Sequence, residues 1–133
     1  MSAKMIWCLA AISIAVATAL GAFGTHALRP ILTPERFASF DVAVTYQFFH
    51  SLGLLGIGFL QRQDPTNRVF GRLATALLVG IMLFCGSIYA LTFGAPKWIA
   101  MIAPFGGGTL ILSWVLIAIA IWRSPSFADS ATR

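Results

Sequence analysis

The sequence predicts an all-α fold, a four-helix bundle integral to a membrane, and three observations carry that prediction. Hydrophobic residues make up 59% of the chain and charged residues 10%, where soluble domains run about 45–50% and about 25%. Nine Lys and Arg and four Asp and Glu cannot supply a soluble globule of 133 residues with its charged skin. Four stretches are each apolar over the roughly 20 residues needed to cross the hydrocarbon. The length suits a single domain, residues 1–123, with a short polar tail at 124–133.

The first span, about 5–24, carries no charge. Lys4 and the small residues Ala17-Thr18-Ala19 also resemble a secretory signal, but the stretch is expected to remain as a true span. Ala11, Ala15, Thr18 and Ala22 form one stripe at helical spacing, and His26 continues it. Leu9, Ile12, Val16, Leu20 and Phe23 lie opposite. Small residues let membrane helices approach closely, so the small stripe is expected to face another helix.

The connection that follows contains Thr33-Pro34-Glu35, which has the pattern of a helix start: a capping hydroxyl, a proline at the first position and an acid in the first turn. A helix begun there outruns the second span, about 42–60, so its first two turns protrude or lie along the interface. Within that span Ala43, Tyr46, Gln47, His50, Gly53, Leu54 and Ile57 share one face. Thr45 and Ser51 fall outside it and can bond their own backbone carbonyls. Gln61–Asn67 is a short polar turn. The third span, about 73–93, is the cleanest. The fourth starts near Pro104, since proline is comfortable only in a helix's first turn, and runs to about 122, with Gly94–Ala103 as a loop.

Helix-packing positions are expected at Ala15, Gly21, Gly24, Gly53, Gly86, Gly106 and Gly107. The run Gly106–Gly108 is not a phosphate loop, because no Lys-Ser/Thr follows it. Cys8 and Cys85 both lie in apolar runs and read as buried free thiols. Six basic residues (Lys4, Arg62, Arg68, Arg72, Arg123, Arg133) fall on the side of the termini and three (Arg29, Arg36, Lys97) on the other. The positive-inside rule then puts both termini in the cytoplasm. The net charge of +5 is scattered rather than gathered in a patch, so nucleic acid is not an expected partner.

An antiparallel hairpin of the first two spans would bring His26 toward Tyr46 and Gln47, one turn from His50, and Tyr89 could reach the same cluster. Polar groups inside a membrane are costly and invite a functional reading. A structural latch, a ligand or haem site and proton handling all suit such a cluster.

Gly21-Ala-Phe-Gly-Thr-His-Ala-Leu28, Thr45-Tyr-Gln-Phe-Phe-His-Ser-Leu-Gly-Leu-Leu55, Phe84-Cys-Gly-Ser-Ile-Tyr-Ala-Leu91 and Pro104-Phe-Gly-Gly with Ser113-Trp114 together resemble a family of small membrane proteins, domain of unknown function 423. Its eukaryotic relative is transmembrane protein 256. The resemblance implies a four-span membrane protein and no established activity. It also implies that His26, Tyr46, Gln47 and His50 matter together.

No enzyme is expected. Glu35, Asp41, Asp64 and Asp129 all sit in loops or at span ends, and Ser51 and His50, being adjacent, point about 100° apart on a helix. Two histidines are too few for a metal site, which takes three or four ligands, and no cofactor is expected. The leading expectation is an accessory or assembly subunit in a bacterial inner or cell membrane, packing against lipid and against other membrane proteins or further copies of itself. The alternative is a module that binds or passes a small ligand, haem or an ion through the His/Gln/Tyr cluster.

Overall fold

The computed structural model describes residues 1–66 and 68–124, so the expected tail lies outside the described residues beyond Ser124. Four long helices account for nearly all of it: α1 (Ala3–Phe23), α2 (Pro34–Gln63), α3 (Val69–Thr92) and α4 (Ile102–Trp122). A π-helical turn, Gly24–Leu28, extends α1, and a 3-10 turn, Lys97–Met101, leads into α4. With those turns, all four are long and apolar enough to cross a membrane.

Local chemistry explains the boundaries. Ser2 accepts from the Met5 amide at the start of α1, and Thr33 accepts from the Arg36 amide at the start of α2, where Pro34 and Glu35 stand as the sequence pattern predicts. With 30 residues, α2 is about 45 Å long at 1.5 Å per residue, and its first turns extend beyond the apolar stretch. Arg36 reaches across to donate to the Leu91 and Thr92 carbonyls at 3.0 and 3.4 Å, closing the C-terminal end of α3 where a cation also meets the helix dipole. Gly94, with φ of 92°, makes the turn that follows, in a region costly for any residue with a Cβ. Pro104 lies in the first turn of α4.

Each helix packs on its chain neighbour, α1 on α2, α2 on α3 and α3 on α4, and α1 and α4 form no packed pair. Leu54, Ile57, Phe70, Leu77, Ile81 and Leu110 form the middle of the core. Ile12, Phe49, Met82, Phe105 and Ile111 stand outside it, at least 60% exposed, as suits a surface solvated by lipid.

The closest approaches are made by glycine. A methyl group on Gly106 would collide with the Phe84 backbone, one on Gly80 with Leu110, one on Gly24 with the Phe40 ring and one on Gly58 with the Trp7 indole. Gly21 and Gly107 make ordinary contacts with Val44 and Phe84. Gly86 corrects its expectation, since nothing lies within 4 Å of the place its Cβ would take.

A larger correction concerns α1. Its buried side is Ile6, Ala10, Ala17 and, through the π turn, Gly24 and Leu28, while Ala11, Ala15, Thr18 and Ala22 are exposed. The packed stripe is therefore displaced by one residue, about 100° around the helix. Both stripes are rich in small residues, and only the packed one also holds Gly21 and Gly24. The cysteines are both free, as expected, but only Cys85 is buried and Cys8 is exposed.

Candidate functional site

Gln47 lies near the middle of α2, 7% exposed. Its amide nitrogen donates to the Ser13 carbonyl at 3.0 Å and to Ser13 Oγ at 3.3 Å, and its oxygen accepts from the Tyr89 hydroxyl at 2.8 Å. Ser51, fully buried, donates to the Gln47 carbonyl at 2.6 Å and shares a hydrogen bond with Ser13 Oγ at 2.7 Å. Three helices are thus joined through one side chain whose donors and acceptor are all engaged. A network complete in this way stabilises, whereas a half-complete one is costly in low dielectric. Tyr89 also packs its ring on Phe40, with centroids 5.4 Å apart. Ser51 bonds its own helix as expected, and although it was placed outside the shared face of α2 it is also buried against α1.

The second assembly lies on the other side of α2. His50 Nδ1 accepts from Trp114 Nε1 of α4 at 3.1 Å, which fixes the proton of a neutral imidazole on Nε2. Among the described residues nothing accepts a hydrogen bond from Nε2. Tyr46 packs edge-on against His50 (5.5 Å) and tilted against Phe84 (5.1 Å). Trp114 fits because Gly53 leaves it room; a methyl group there would meet the indole. These side chains line an open groove of about 510 Å³ between α2 and α4, with Thr45, Phe49 and Ile111 at its edges. A second open groove, about 520 Å³, runs between α1 and α3, where Gln47, Ser13, Cys85, Gly86 and Tyr89 meet the lipid-facing Leu9, Ile12 and Met82.

The expected cluster therefore divides in two. Gln47 and Tyr89 belong to the latch, Tyr46 and His50 to the aromatic groove, and His26 to neither. His26 is exposed on the π turn. The pairings Trp7–Leu55, Ser13–Ser51 and Gly24–Phe40 set the register of the α1–α2 hairpin. That register carries His26 past the level of Phe40, about 10 Å beyond Gln47 at 1.5 Å per residue. Ser13 and Trp114 are the partners that sequence reasoning missed. Ser13 was open to discovery, because it lies at mid-span like Ser51; Trp114 offered no signal beyond its depth. Ser51 turns to α1 and His50 to α4, so they form no nucleophile–base pair. No three His, Cys, Asp or Glu side chains converge among the described residues.

Comparison with known proteins adds the family. Residues 20–107 match the family described as "Protein of unknown function (DUF423)". The chain belongs to it. The matched region runs from the end of α1 to Gly107 near the start of α4 and holds both assemblies except Ser13, Ile111 and Trp114. Among its relatives is a UPF0382 membrane protein of Haemophilus influenzae, 37% identical over 119 residues, which cover 89% of this chain and 94% of the relative. The UPF0382 membrane protein YwdK of Bacillus subtilis is 34% identical, covering 88% and 95%, and the UPF0382 inner membrane protein YgdD of Escherichia coli is 30% identical, covering 92% and 93%. No solved structure gives a significant match. This DUF423 chain is a multi-pass membrane protein, as its four spans and its relatives' names agree.

Proposed function

We propose that this protein is an accessory or assembly subunit of the bacterial inner membrane, with both termini cytoplasmic, which packs against another membrane protein or a second copy of itself. One observation carries the reading: the small-residue stripe Ala11, Ala15, Thr18 and Ala22 is exposed along α1, and α4 does not close over that side. Small residues on an outer face are the surface on which membrane helices associate. The test is crosslinking in native membranes with Ala15→Cys in a Cys8→Ser background, beside native mass spectrometry of gently extracted protein. A discrete crosslinked partner at position 15, absent for a cysteine at Met82, is the expected result. A bare monomer with no crosslink sinks the reading.

A second reading rests on His50. Its Nε2–H has no acceptor among the described residues, and it borders an aromatic groove large enough for a small amphipathic molecule. A hydrogen-bond acceptor carried on an apolar ligand would complete it. An extra few hundred daltons on the native protein, lost in His50→Leu with the fold intact, would favour this reading, and an absorbance spectrum would reveal haem.

A further inference from the structure

At the bundle end where α1 begins, the chain gathers positive charge around a cleft of about 510 Å³. Its walls are Ser2 and Ala3 at the start of α1, Gln61 and Arg62 at the end of α2, Pro65 of the turn, and Arg68 and Arg72 at the start of α3. We propose that this cleft is a stoichiometric site for a phosphate-bearing anion.

Three arginines share one cavity, and no acidic side chain stands among its described lining residues. Asp64, in the adjoining turn, is outside the lining; it caps the end of α2 and accepts from Thr66 Oγ1 at 2.8 Å. Arg68 and Arg72 stand four residues apart on the same side of α3, where like charges repel. Arg62 is held with its guanidinium 5.6 Å from the Trp7 ring centre, so it is ordered by packing rather than by an anion. The close fit is built: a methyl group at Gly71 would strike the backbone of Met1 and the Gln61 side chain, so that glycine lets the α1 start dock on α3. The starts of α1 and α3, both positive dipole ends, border the cleft together with the end of α2, a negative one, so the arginines carry the charge of the site.

Guanidinium forks match tetrahedral oxyanions in geometry and charge. Trp7, an interfacial residue type, sits beside Arg62, as suits a cleft at head-group depth. A lipid phosphate and a free phosphate share this chemistry, and the experiment separates them.

Protein in an uncharged detergent is titrated with phosphatidylglycerol and, separately, with inorganic phosphate, and bound lipid is counted by native mass spectrometry. One saturable lipid per chain is expected, with affinity reduced about 25-fold in the Arg68→Gln/Arg72→Gln variant at roughly fivefold per arginine. Arg123→Gln removes a charge from the same bundle end but outside the cleft, and leaves affinity unchanged. Helical content and melting of each variant are checked by circular dichroism, and Arg68→Gln alone, an exposed position, serves if the double variant fails to fold. Displacement of the lipid by millimolar phosphate identifies a site open to soluble phosphate; retention identifies a head-group site. The proposal is overturned if Arg123→Gln weakens binding as much as Arg68→Gln, or if phosphatidylcholine is retained as well as phosphatidylglycerol.

Discussion

The groove between α1 and α3 has Gln47 of α2 behind it, and the groove between α2 and α4 has Phe84 of α3 behind it. They are similar in size, about 520 and 510 Å³, and both open toward lipid, yet their polar chemistry is opposite. In the first, the Gln47 side chain has both its amide nitrogen and its oxygen engaged, by Ser13 and Tyr89. In the second, His50 has one nitrogen engaged by Trp114 and the other without an acceptor among the described residues. Gln47 and His50 are only three residues apart, about 60° around α2, and that rotation sends one into a three-helix junction and the other to a two-helix edge. Burying a polar side chain at a junction surrounds it with partners, whereas an edge leaves part of it for something else. The first groove is accordingly a fastening, and the second keeps a donor that no described residue engages.

Five substitutions break or sharpen this contrast, most easily in reversible unfolding in mixed micelles. Gly106→Leu forces a side chain into the Phe84 backbone and should cost about 3 kcal/mol or more, opening the α3–α4 contact behind the second groove; a loss under about 1 kcal/mol would mean that α4 is not seated there. Gln47→Leu strands Tyr89 and the Ser13 groups and should cost about 2 kcal/mol. Pairing it with Tyr89→Phe should give a coupling of about 0.6 kcal/mol, the usual worth of an interhelical bond in a membrane, and a coupling of zero would dissolve the latch. His50→Leu, which removes one hydrogen bond, to Trp114, and the Tyr46 ring contact, should cost about 0.6 kcal/mol for the bond; a cost equal to that of Gln47→Leu would erase the distinction between the two grooves. Gly86→Leu enters open space and should change stability by less than about 0.5 kcal/mol.

The sequence made the four helices legible because their apolar length and the Thr33-Pro34-Glu35 start are local signals. The inward face of α1 was not, and the reason is the solvent. Lipid is as apolar as a protein core, so hydrophobicity separates inside from outside only weakly, and α1 carries small residues on two adjacent stripes. Ser13, aligned in depth with Ser51, and the glycines Gly21 and Gly24 were the features able to break that tie. For the polar cluster, residue types were legible but partners were not. Tyr89 could be brought to Gln47 by depth, while the place of His26 depended on hairpin register, which the π turn and the Gly24–Phe40 contact decide. Family membership was legible from short motifs, and the comparisons establish it over most of the chain.

The order of packing, each helix against the one before it, also bears on how the molecule comes into being. A closed ring of helices must wait for its last segment to meet its first, the most distant contact in the chain. Here α1 can dock on α2 as soon as the hairpin has entered the bilayer, with Gln47 already finding Ser13, and α3 brings Tyr89 to complete the latch. Only then does α4 add Trp114 and close the edge beside His50. The helix pairs with extensive contacts are neighbours in the chain, and synthesis and assembly run in the same direction, N-terminus first. A ribosome stalled after α3 would therefore hold a nascent chain whose central fastening is already made.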